Sequence, residues 1–206
     1  FEILKSELYD EISNVKSIKN MPSNFTEDFL KLVTMVNFML IEDKDNFYGY
    51  FLLQMSREIK YDISSPTAVN FKLSRFVIYF NPYIFLNLTA EQMKSSIKHE
   101  IYHILSFHLK RARGLKTKYS TLAINMAMDI VVNQYLDYLP PFATTIDNVN
   151  SKYRINLEQY MSMEYYAKEI QKALNLLEED DESQEDDSKD KHIEKERSEE
   201  HTSELQ

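Results

Sequence analysis

The 206-residue sequence contains no cysteine. That excludes a disulfide framework and thiolate metal ligands, and it fits a reducing compartment, so a cytoplasmic location is expected. Glycine is nearly absent as well: two residues, against many Leu, Ile, Met and Lys, argue for a mostly helical domain. No apolar run approaches the roughly 20 residues of a membrane span. The longest, about Phe76 to Leu88, is interrupted by Asn81 and Pro82, so no membrane partner is expected. Excess positive charge is missing too. The net charge is −9, but residues 1–177 hold 20 basic and 19 acidic side chains, which is close to neutral. Nothing there marks a nucleic-acid footprint.

The acidity lies in a tail. Residues 178–196 hold 3 basic and 11 acidic side chains and read as a disordered acidic linker. The last ten residues, Arg197 to Gln206, match the translation of a common sequencing adapter and are set aside as an artefact. The chain opens on Phe1, so its natural start is expected upstream. Residues 1–177 are long enough and apolar enough to fill one sizeable core.

Against these absences stands one dense motif, His99-Glu100-Ile101-Tyr102-His103, set in an apolar helical pattern. Residues four apart on a helix share a face, so two imidazoles can aim at one divalent cation, usually zinc. Glu100 follows the first of them. There it can take a proton from a water held by the cation and pass it to a leaving amine.

A catalytic zinc takes three protein ligands and leaves a position for water. His108 is nearest, but nine residues past His99 on one continuous helix it lies about 180° away. Unless the helix breaks after His103, it is expected to point away from the motif, in a buried or capping role. The better candidate is Asp129. It sits in the pattern Thr121 to Asp137, where Asn125, Asp129, Asn133 and Asp137 form a polar stripe on an otherwise apolar helix. A charged Asp among Met126, Met128, Ile130 and Val131 is costly to bury without a partner, and a cation would supply one. Asn125 and Asn133 can orient the ligands from behind. The plain alternative is the solvent face of an amphipathic helix.

Helices are expected over residues 2–19, from Thr26 to about 41, and from Phe47 to Glu58. Three β-rich runs follow, around 59–63, 69–73 and 75–80, and predict a small sheet of two or three strands. The strand just before the motif either lies beside the cleft, with an edge free to pair with an extended substrate, or belongs to a hairpin that simply covers the core. Thr89 and Gln92 form a capping box that launches the motif helix, expected over Ala90 to Lys110. A loop is expected from Pro140 to Ile155, then a last helix from Asn156. Tyrosines near a zinc cleft can stabilise an oxyanion, but nothing selects among the 14 present.

Three stretches, residues 76–111 with the H-E-x-x-H and His108, AMDIVVNQYL with LPP, and EYYAKEI, together resemble a zincin-like metallopeptidase family of bacteria and phages. Members often carry a following von Willebrand factor A-like domain. The resemblance covers about residues 45–175. It implies zinc-dependent peptide hydrolysis, a peptide or protein substrate, and a second domain beyond the acidic linker. The expectation is therefore an α+β, predominantly helical, zincin-like domain. Zinc sits on His99, His103 and Asp129, and Glu100 is the general base. The rival reading is a catalytically inactive, metal-stabilised binding or scaffold module.

Overall fold

The computed structural model describes residues 1–15, 17–44 and 46–177. Helix α1 spans Glu2–Asn14 and α2 spans Phe25–Glu42. The apolar repeat of α2 buries Phe25, Phe29, Leu32, Val33, Val36 and Leu40 completely, which makes it the central rod of the first half. Helix α3, Asn46–Leu53, folds back against it. Gly49 permits that approach, because a Cβ there would stand 2.5 Å from Cγ1 of Ile41.

Three strands follow: β1 (Ser56–Ile59), β2 (Thr67–Lys72) and β3 (Arg75–Phe80). The sheet order is β1-β3-β2, with β1 parallel and β2 antiparallel to β3. The third helix thus ends five residues earlier than its apolar pattern predicts. Residues 56–58 are claimed instead by pairing with Val77 to Tyr79, a long-range contact that local periodicity cannot register. The β2–β3 hairpin turns through Leu73 and Ser74 at φ 48° and 62°, the left-handed pair a tight hairpin requires.

Asn81 caps the short helix α4, Pro82–Phe85, by accepting from the backbone N–H of Tyr83. Helix α5, Ala90–Leu105, opens on the expected capping box of Thr89 and Gln92. It stops short of Lys110, and α6 (His108–Leu115) starts on a new axis. Helix α7, Thr121–Asn133, is capped by Ser120 and ends before Asp137, which is exposed. The stretch expected to be a loop contains helix α8, Ile146–Tyr153, capped by Thr145. The last helix, α9, covers residues 163–177 and begins seven residues later than expected.

These elements form two buried cores. The first joins α1 to α5 and the sheet, from Leu8 to Ile104. The second joins α6 to α9, from Ala112 to Ile170. Arg111 on α6 fastens the second by a two-pronged ion pair to Glu164 on α9, at 3.0 and 2.6 Å. The domain is α+β and predominantly helical. No described helix is long and apolar enough to cross a membrane. The acidic linker and the adapter-like end lie outside the described residues.

Candidate metal centre

The two cores meet where α5 faces α7. His99 and His103, one turn apart, bring their Nε2 atoms to 2.7 Å. Asp129 of α7 reaches across, its Oδ1 3.4 Å from each Nε2. All three potential ligand atoms lie within 4.8 Å of one another, one imidazole buried and the other two side chains partly so. Ligands of a tetrahedral zinc at about 2.05 Å stand about 3.3 Å apart, so two sides of this triangle already match and the third opens by about half an ångström. The donor set of two imidazoles and one carboxylate is one that a catalytic zinc accepts.

The electrostatics fit the same centre. Burial works against charge on His99, but the Asp129 carboxylate, with help from Glu100 and Asn133, outweighs it and raises the imidazole to about 9. Burial likewise opposes charge on Asp129, yet the hydrogen bonds from His103 and His99 hold it well below the usual carboxylate range. In the protein alone, an imidazolium proton thus offsets the charge that a cation would otherwise offset.

Asn133 lies one turn beyond Asp129. Its amide N–H donates to the carbonyl of Thr144 at 2.8 Å, so its Oδ1 must face His99 Nδ1, also at 2.8 Å. Nδ1 then carries the proton and Nε2 is left to face Asp129. Asn125, the other amide of the stripe, lies exposed on the cleft wall.

Glu100 is 6 % exposed and accepts from Thr67 Oγ1 at 3.0 Å. Thr67, the first residue of β2, is buried too. Sequence reasoning missed it, because its distance along the chain leaves no local signal.

His108 corrects one expectation. It is fully buried, as expected, but it does not point away from the motif. The helix breaks at Ser106, Phe107 takes a left-handed conformation (φ 53°, ψ 30°), and His108 returns with its Nδ1 2.8 Å from His103 Nδ1. Burial, with smaller electrostatic contributions from His103 and Arg111, pushes its imidazole down to about 3.

These side chains line a cleft of about 640 Å³ between the head of β2, helices α5 to α7, and residues 139–144. No lysine, arginine or tyrosine is among the described residues lining it. Beside it runs β2, and here the strand expectation changes as well: β3, the strand just before the motif, is the central strand without a free edge. Asn81 N–H donates to the Pro66 carbonyl. Antiparallel alternation therefore points the backbone of Ala68 and Asn70 at β3 and that of Thr67 and Val69 outward.

Residues 37–204 match the protein family described as "Putative metallopeptidase domain". The chain belongs to this family. No curated protein and no solved structure matches it. The family description supports a peptidase role, and the His-His-Asp cluster of this metallopeptidase-domain chain suggests a metal.

Proposed function

We propose that the chain is a zinc metallopeptidase of the H-E-x-x-H type, with His99, His103 and Asp129 as ligands and Glu100 as general base. The observation that carries this reading is the convergence of three ligand atoms from two helices next to a buried carboxylate in a cleft. When bound, zinc polarises a peptide carbonyl and makes a coordinated water acidic. The chain's own groups do the rest. Asn133 holds a His99 proton on Nδ1, leaving Nε2 for the Asp129 side. Thr67 Oγ1 holds one oxygen of Glu100, which leaves the other to take a proton from the attacking water and return it to the leaving amine. The outward N–H and C=O of Val69 give an extended substrate backbone a pairing partner.

The test is a metal analysis beside a peptide-library assay. The expected result is one zinc per chain and cleavage that falls by about 10²- to 10⁴-fold in Glu100→Gln with zinc retained. A zinc-loaded protein that cuts nothing, with Glu100→Gln changing nothing, overturns the reading and leaves the metal-stabilised module in its place.

A further inference from the structure

Each imidazole of α5 must keep its Nε2 bare to serve as a ligand, and so must carry its proton on Nδ1. Asn133 settles this for His99. For His103, the group against Nδ1 is His108, at 2.8 Å. We infer that His108 is a positioning residue: its bare Nδ1 accepts the Nδ1–H of His103 and keeps the Nε2 of His103 free and aimed at the centre. The inference rests on the metal-centre reading proposed above.

Two nitrogens in hydrogen-bond contact can share only one proton, so one imidazole donates and the other accepts. If His108 donated, His103 would carry its proton on Nε2, against Asp129, and could not ligate. The partner is also well chosen for its charge. Ligating histidines commonly donate to a carboxylate. Here a carboxylate would be the third beside Asp129 and Glu100 in the same cleft. An imidazole with a bare nitrogen accepts the same proton and brings no further carboxylate.

The backbone supports the assignment. On an unbroken helix, five residues correspond to about 500°, which leaves residue 108 about 140° from residue 103. The contact exists only because Phe107 adopts a left-handed conformation, unfavourable for a residue with a Cβ. Its own side chain is 69 % exposed, so packing of Phe107 does not explain the turn. What the turn achieves is the return of His108. Nor is His108 explained as filler. Its Nε2 is buried without a hydrogen-bond partner among the described residues, and a leucine would fill such a space with no polar atom left over. Among the described residues, its one hydrogen-bond contact is with His103.

The deciding experiment is long-range proton–nitrogen NMR of the histidine rings in the zinc-loaded chain, paired with zinc affinity by chelator competition. The expected spectrum has His103 protonated on Nδ1 and His108 on Nε2. His108→Phe is expected to weaken zinc binding about 10- to 100-fold, and His108→Gln, whose side-chain carbonyl can accept, to recover part of the loss. His108 protonated on Nδ1, or a folded His108→Phe that binds zinc as tightly as the parent, overturns the inference. If His108→Phe does not fold, the ring spectrum of the unsubstituted chain decides alone. A parent chain that takes up no zinc is a different failure, since it ends the metal-centre reading itself.

Discussion

On the proposed reading Asp129 carries the most consequence of any single side chain, because it would be the one ligand supplied from outside α5. Asp129→Ala is expected to abolish stoichiometric zinc uptake in a metal analysis, whereas Asp137→Ala, at an exposed position past the end of α7, leaves uptake unchanged. Without metal, the pair of His99 and Asp129 makes stability depend on pH. His99 is raised from its usual 6.5 to about 9. Its contribution is therefore full below pH 6.5 and is lost as pH rises through about 9, by up to about 1.4 kcal/mol per pH unit. Asp129 acts with the opposite sign. Its contribution is present above the ordinary 3.8 and is lost as pH falls through its depressed folded value. Urea midpoints in chelator are thus expected to decline between pH 6.5 and 9, and a flat profile there counts against the pairing. On the proposed reading zinc would have to displace the same proton, so calorimetry in two buffers near pH 7.5 is expected to record about one proton released per ion bound. Asp129 and Asn133 are legible in the sequence because a polar stripe on an apolar helix has to be answered by something. Thr67 is not legible, since nothing near it hints at a carboxylate 33 residues away.

At the scale of elements, the capping box and the apolar repeats place α2, α5 and α7 nearly where the chain pattern predicts. Such signals are local, and so is helix formation. The misplacements share a cause. Residues 56–58 become strand because β3 recruits them, and α8 forms in a polar segment that buries only Ile146 and Val149 among its apolar side chains. The break between α5 and α6 has no glycine or proline to announce it; Phe107 occupies the turn. Phe107→Gly is expected to stabilise the fold by about 1 kcal/mol or less, as relief of the left-handed backbone outweighs the added chain entropy. Thermal unfolding measures it, and a clear loss of stability means that the exposed ring packs more than its surroundings indicate. The close α2–α3 contact gives the opposite expectation. Gly49→Ala drives a methyl toward Ile41 and is expected to cost about 1–3 kcal/mol in the same assay.

Across the whole molecule, the notable fact is the position of the centre between two cores. His99 and His103 stand on α5, which contributes to the first, while Asp129 and Asn133 stand on α7, which contributes to the second. On the proposed reading a cation there would join the halves, and at 100 times its dissociation constant it would add about 2.7 kcal/mol to stability. Chelation is expected to lower the melting temperature and to raise hydrogen exchange first along the α5–α7 face, before the interior of α2. Uniform exchange across the protein argues instead that the halves hold together without the ion. The composition anticipates one sizeable core and the fold makes two, because hydrophobic content limits how much can be buried but not how it is divided. The division bears on safety as much as on stability. A half-made chain emerging from synthesis presents two imidazoles with no carboxylate opposite them, so on the proposed reading a hydrolase built this way stays inert toward its cellular neighbours until the final helices have docked.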